Sequence, residues 1–547
     1  MIRNYSFYLL FFYILFIACK SSVNYTVISP QINNSVKKNS KIDLRNWHFK
    51  DIINDTIPGI SLERVYDELL RNKSGKEVVV AVIDMEVDID HKFLKERIWT
   101  NVKEIANNNI DDDQNGYIDD IHGWNFLGNS SGNNNRFVNY EYTRILKKLN
   151  PKFQNIKVTD INSKDSLSYI IYKKALEAYD NRVIFAKKDV KYANMISNSV
   201  YETKKALSDY FIDSTYSIKD LDSLKQIYPE NKELHKYIKK QSGFIKYGFT
   251  EDYVNNYKLK AEERIDKLLN LEYNDRIIQG DNPNDILDIN YGNNNMNGHV
   301  NFFDHGTKMA GIIANISLKD EIKIMPLSIS AFGDEHDKDI VLAIKYAVDN
   351  GANVINMSFA KEFSLYPKWI EEAIIYADKN NVLIVNSASN DGIDLDKGLT
   401  YSFPNDHSYF EDSEVSNNYI KVGSSGVILN NKFKLRYSNY GKKEVDIFAP
   451  GKNIYTTLPN NSYTNTAGGT SSASAITSGV AALIYSYYPN LTAYQVKKII
   501  MDSGLEYNID VSIPSEEYKA KTIPFNQLSK SGKVINAYNA FLLADKY

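Results

Sequence analysis

Three residues far apart in the chain, Asp84, His305 and Ser471, supply the parts of an activated hydroxyl nucleophile. A serine hydroxyl attacks poorly until a base removes its proton. Histidine does this near neutral pH and can hand the proton on to a leaving amine. A carboxylate then fixes the imidazole tautomer and stabilises its charged form. The surrounding segments suit these tasks. The apolar run Val78–Ile83 ends in Asp84, the place where an α/β enzyme puts a catalytic group. Asp304-His305-Gly306-Thr307 opens an apolar, small-residue helical pattern, and Gly468-Gly469-Thr470-Ser471-Ser472 opens another. Taken singly each is weak: many strands end in Asp, a lone histidine is usually structural, and a serine at a helix start is usually a cap. A helix N-terminus at Ser471 adds a backbone N–H and a dipole that favour developing negative charge.

The elements that must hold these groups alternate along the chain. Apolar runs at Val78–Ile83, Ile322–Leu327, Val354–Met357, Val382–Val385, Ile420–Val422 and Val445–Phe448 predict strands. Helical patterns are predicted at Ser61–Leu70, Asp337–Asp349, Trp369–Asp378, Ser472–Tyr487 and Ala493–Asp502. Apolar strands alternating with amphipathic helices imply an α/β fold, a doubly wound parallel sheet covered on both faces. Residues 135–275 break the rhythm. Val183, Ala186, Val190, Ala193, Ile196 and Val200 recur at helical spacing, which predicts two to four long helices inserted between the Asp and His motifs. The catalytic domain is then 46–134 plus 276–547.

The chain has 547 residues, a net charge of −3 and one cysteine. No long basic block is present, which argues against nucleic acid as a partner. One cysteine excludes an intrachain disulfide, and neither cysteines nor clustered histidines offer a zinc site. That cysteine follows Arg3 and an apolar run too short to span a bilayer. Phe16-Ile17-Ala18-Cys19 resembles a bacterial lipobox. Residues 1–19 therefore read as a lipoprotein signal peptide with Cys19 as the lipidated residue, and 20–45 as a polar, flexible tether.

Taken in order, Ile83-Asp84, His305-Gly306-Thr307 and Gly469-Thr470-Ser471 resemble the motifs of the subtilisin-like serine proteases, the subtilases. The resemblance covers Trp47 to Tyr547 apart from the helical insertion. It implies a serine endopeptidase acting through an acyl-enzyme on Ser471, with protein or peptide substrates and no catalytic cofactor. Val385–Gly392 is similar to the segment that supplies an oxyanion-hole amide, which falls on Asn390. Asn353–Phe359 looks like the strand that pairs with substrate, which would place Ser358, Phe359 and Ala360 along an extended peptide. The chain departs from the family pattern at Met85, Glu86, Lys308, Ser389 and Ala475. A catalytically silent surface-binding protein of the same fold is the alternative. A hydrolase of non-peptide esters ranks last.

Residues 111–120 are dense in oxygen ligands. Asp111, Asp113, Asn115 and Gly116 match the first half of a calcium loop, with Asp119 at the ninth place. His122 at the twelfth excludes an EF-hand. A structural Ca2+ is the expected ligand. The whole reads as an exported monomer, lipid-anchored to the bacterial cell envelope at the outer membrane. Replacing Cys19→Ser tests the anchor. The parent is expected in the membrane fraction and the variant in the soluble fraction; equal partition of the two would refute lipidation at Cys19.

Overall fold

The computed structural model describes residues 44–211, 215–397, 402–408, 413–466, 468–514 and 521–547. The signal run, Cys19 and nearly all of the tether lie outside the described residues. No described helix is long and apolar enough to cross a membrane.

Among the described residues, nine strands form the central sheet. In chain order the strands of the fold are β1 (Val78–Asp84), β2 (Trp124–Asn125), β3 (Ile322–Ser328), β4 (Val354–Met357), β5 (Leu383–Ser387), β6 (Tyr419–Ser425), β7 (Ile447–Pro450), β8 (Tyr455–Leu458), β9 (Ser462–Asn465), β10 (Leu505–Glu506), β11 (Asp510–Ile513), β12 (Lys521–Pro524) and β13 (Lys533–Val534). The sheet runs β10-β13-β7-β6-β5-β4-β1-β3-β2, and β8–β9 and β11–β12 are separate hairpins. All pairings in the sheet are parallel except β10 with β13 at the edge. The short strands β2, β10 and β13 carry too few residues to show periodicity, which is why the sequence pattern missed them.

The helices are α1 (Leu62–Arg64, running into a π turn), α2 (Glu141–Phe153), α3 (Ser166–Leu207), α4 (Ile218–Ile227), α5 (Lys232–Tyr247), α6 (Glu251–Glu263), α7 (His305–Ala314), α8 (Asp337–Asp349), α9 (Pro367–Lys379), α10 (Thr470–Tyr487), α11 (Ala493–Ser503) and α12 (Ala537–Ala544). Strand residues alternate between two apolar layers. Val78, Val80 and Val82 pack with residues of α7, α10, α11 and α12. Ala81 and Ile83 face the other way, against α8 and α9. Helix α10 is buried along almost its whole length and touches β1 and β4 to β7.

Among the described residues, 141–263 form five α-helices, α2 to α6, rather than two to four long ones. Local caps divide the stretch: Ser217 with Asp220 forms a capping box, Asn231 and Thr250 cap α5 and α6, and Gly248 ends α5 at φ +70°. Along α3, Ala186, Ala193, Val200 and Leu207 are buried at intervals of seven, the spacing of a coiled-coil seam. Helices α5 and α6 pack along it. At its base, Tyr172 and Ala175 of α3 pack on Ile145, Leu146 and Phe153 of α2 and on Phe363 of the sheet domain.

Candidate active site

Strand β1 carries Asp84 into the interior, where it is 2% exposed. Helix α7 begins at His305 and must come close to the end of that strand. Gly306 permits the approach: a Cβ there would stand 2.3 Å from the Met85 carbonyl oxygen and 2.6 Å from that of Glu86. His305 Nδ1 lies 2.7 Å from Asp84 Oδ1, which also accepts the Met85 N–H at 2.7 Å. With Nδ1–H donated to the carboxylate, Nε2 is left as the proton acceptor. Burial pulls the imidazole pKa down, and the adjacent Asp84 anion more than offsets this, so the net direction is upward.

Ser471 lies in the first turn of α10. Strand β4 pairs with β1 so that Ile83 faces Met357, which sets Ser358 beside Asp84, one strand spacing of about 4.8 Å away. Ser471 Oγ donates to the Ser358 carbonyl at 2.8 Å. The structure thus brings Asp84, His305 and Ser471 to one end of the sheet, with the serine proton on a wall carbonyl rather than on His305. Hydroxyls hold α10 in place on β4. Ser358 Oγ donates to the Ser471 carbonyl at 3.1 Å, meets Ser474 Oγ at 3.0 Å and accepts from Asn356 Nδ2 at 2.9 Å. Ser478 Oγ donates to Asn356 Oδ1 at 3.0 Å. The sequence reading missed Asn356 of β4 and Ser474 and Ser478 of α10; the i, i+4 spacing of the two serines was the available signal.

Asn390 follows β5. Its Oδ1 accepts the Thr470 N–H at 3.0 Å, which leaves the amide Nδ2 as the free donor beside the start of α10. Ser389 adopts φ +74°, a region that costs a non-glycine residue about 1–2 kcal/mol. Its hydroxyl bonds Asp391 Oδ2 at 2.7 Å. This geometry explains why glycine suits the position. Ser358, Phe359 and Ala360 run on beyond β4, with the Phe359 carbonyl held by Asn386 Nδ2 at 2.9 Å.

The side chains at the other departures are engaged elsewhere, although the Met85 N–H meets Asp84 Oδ1 and the Lys308 charge pulls the His305 pKa down. Glu86 is 1% exposed and accepts from Asn134 Nδ2 at 2.7 Å, Asn125 Nδ2 at 3.2 Å and the His299 N–H. Burial raises its carboxyl pKa. Met85 packs against Leu127, Val138 and Phe303. Lys308 pairs with Asp304 at 2.7 Å, and Ala475 is core.

In the acidic loop, Glu104, Asp111 and Asp113 bring ligand oxygens within 4.8 Å of one another. Asp119 turns its carboxylate to the N–H groups of Asn108 and Asn109, at 3.2 and 2.9 Å. Asn115 Oδ1 accepts the Tyr117 N–H at 2.8 Å. The acidic set therefore gains Glu104, which the loop motif does not contain, and Asp119 stands apart from it. Three carboxylates suit a hard cation such as calcium. Burial raises the Glu104 carboxyl, and Asp120 and Asp113 add to this.

The profile of the "Subtilase family" matches residues 75–518. The chain is 32% identical over 200 residues to subtilisin DY of Bacillus licheniformis, covering 37% of this chain and 65% of that protein. It is 35% identical over 192 residues to the major intracellular serine protease of Bacillus subtilis strain 168, covering 34% and 55%. It is 29% identical over 262 residues to subtilisin-like protease 1 of Plasmodium falciparum isolate 3D7, covering 43% and 37%. The chain thus spans less than two thirds of the length of these relatives. Among solved structures, a lanthipeptide protease aligns at TM-score 0.34 with 25% identity, covering 44% of this chain and 75% of that one. The A-subunit of the AB5 toxin from E. coli aligns at TM-score 0.36 with 25% identity, covering 44% and 79%.

The Asp84–His305 pair sets the pH response of any proton transfer through His305. With its pKa raised above 6.5, the base is lost as pH falls through that higher value. Asp84→Asn removes the anion and leaves burial, which lowers the pKa. Its acidic limb is expected below pH 6.5, with kcat down roughly 10⁴-fold through the wrong tautomer. A pH–rate profile checks this, and an unmoved acidic limb would refute the assignment.

Proposed function

This chain belongs to the subtilase family, and we propose that it is a serine endopeptidase working through an acyl-enzyme on Ser471. The observation that carries the proposal is the 2.7 Å Asp84–His305 pair beside a serine in the first turn of a buried helix. Strand β1 stops at Asp84, while the chain runs on past both neighbouring strands, through 329–335 after β3 and 358–361 after β4. The space beyond β1 is then one strand wide, about 9–10 Å between its flanks. An extended peptide fits such a slot by adding main-chain hydrogen bonds along Ser358 to Ala360.

The residues divide the reaction between them. Substrate in the slot draws the Ser471 hydroxyl off the Ser358 carbonyl and towards His305 Nε2. Ser471 Oγ attacks the scissile carbonyl carbon as His305 takes its proton. The new oxyanion accepts from the Ser471 N–H and from Asn390 Nδ2, a donor of a kind worth about 3–4 kcal/mol to the transition state. The tetrahedral species collapses, and His305 gives its proton to the leaving amine. Water then repeats the sequence on the acyl ester. Proteins or peptides are the substrates. We assign the chain to the outer-membrane envelope as a monomer anchored through Cys19. A structural calcium ion lies at the loop of Asp111 and Asp113, with Glu104 completing its carboxylate set.

A fluorophosphonate probe tests the nucleophile. Intact mass should show one adduct on the parent and none on Ser471→Ala, and a folded parent that takes no adduct would refute the proposal. For the metal, millimolar calcium should raise the melting temperature of the parent by a few degrees, as expected for binding near 100 Kd. Glu104→Gln should lose most of that gain. An equal gain in parent and variant, or none in the parent, would remove calcium from this loop.

A further inference from the structure

The two flanks of the substrate slot are joined to each other through the base of the helical arm. Lys361, the residue after Ala360, is 5% exposed. Its Nζ donates to the Glu335 carbonyl at 2.7 Å and pairs with Asp337 at 2.6 Å and with Glu141 Oε1 at 3.3 Å. Glu141 is the first residue of α2, where the arm leaves the sheet domain. Its Oε1 also accepts the Leu365 N–H at 2.7 Å, and its own N–H donates to Asp334 Oδ2 at 2.8 Å. One residue thus holds the chain after β4 with its side chain and the chain after β3 with its backbone.

Arg144, one turn later, repeats the link. Its Nε donates to Glu141 Oε2 at 2.6 Å, and its Nη2 to the Asp334 and Glu335 carbonyls at 2.9 and 3.0 Å. Glu141 and Arg144 are 1% and 7% exposed. Arg144 and Lys361 hold the Glu141 carboxyl down at about 2, against the upward pull of burial. Glu141 is therefore held as the anion, while burial raises the Asp337 and Asp334 carboxyls beside it. Arm contacts continue it, since Arg144 lies 3.5 Å from Asp275, which bonds His336 at 3.0 Å.

We propose that Glu141 and Arg144 are positioning residues for the substrate slot, the clamp through which the helical arm sets the spacing of its two flanks. The inference rests on the endopeptidase reading. Neither residue touches Asp84, His305, Ser471 or Asn390. Loss of the clamp loosens the flanks and leaves the reacting atoms in place. A substrate that lies along both flanks then suffers, whereas a small acyl group at Ser471 does not.

The test compares parent, Glu141→Gln and Arg144→Lys as full-length mature chains. Glu141→Gln keeps the side-chain shape without the charge, and Arg144→Lys keeps the charge without the fork. Three readouts are taken: the fluorophosphonate labelling rate, hydrolysis of p-nitrophenyl acetate, and hydrolysis of casein. All rates are normalised to the labelled fraction, so molecules that fail to fold drop out of the comparison. The expected result is labelling and ester hydrolysis within about threefold of the parent, with kcat/KM on casein down tenfold or more, chiefly through KM. Losses equal on casein and ester, or casein hydrolysis unchanged in both variants, would overturn the clamp. A parent that neither labels nor cleaves would instead sink the endopeptidase reading, and the clamp with it.

Discussion

A carboxylate buried at the end of a buried strand is costly unless a donor meets it, and the architecture around Asp84 meets that requirement at one oxygen, Oδ1, while Oδ2 is buried with no hydrogen-bond partner among the described residues. Its oxygen Oδ1 takes the Met85 N–H and the His305 ring. For the ring to arrive, α7 must begin at the strand end, and a glycine must stand where any Cβ would strike the carbonyls of residues 85 and 86. For α7 to lie there, α10 must run beside it under the sheet, which fixes the position of Ser471 in turn. The order of the sheet completes the arrangement. With β1 between β4 and β3, ligand space opens where successive strands depart in opposite directions.

A second set of buried charges stands on the far side of the slot. Ion pairs of this kind give little net stability against an apolar replacement of equal volume. Breaking one partner out of them costs about 3–5 kcal/mol, because the remaining charge is left uncompensated. Their effect is to make one geometry far better than its neighbours. Arg276 with Asp339 and Asp281, and Lys338 with Asp281, extend the same lattice under the arm. The arm's base combines these charges with an apolar contact of α3 on α2, whereas its shaft is held by an apolar seam along α3.

Much of this was legible in the residues. The long strands and helices announced themselves because their apolar spacing is regular over many residues. The Asp, His and Ser segments were legible because each combined a reactive side chain with small neighbours. What escaped the sequence was contact across long separations. Glu141 and Lys361 are 220 residues apart and look like ordinary surface charges; only the fold buries them together. Glu104 lies outside the spacing of a calcium loop and joins Asp111 by chain reversal. The division of the arm into five helices turned on single caps, which a periodicity count passes over. Glu86 follows Asp84 by two residues, yet its side chain turns into a knot of asparagines, which the sequence does not show.

Helix α3 has 42 residues, so at 1.5 Å per residue it is a rod about 60 Å long. Its near end rests on α2, and its far end joins α4 through Leu207, Leu221 and Leu224. Helices α5 and α6 pack along it, so the arm moves as one body and acts as a lever. Displacing the tip by about 5 Å turns the base through only about 5°, a small angle delivered with large mechanical advantage. The fulcrum is the helix that begins at Glu141, so whatever touches the tip of the arm works against the buried charges at its base.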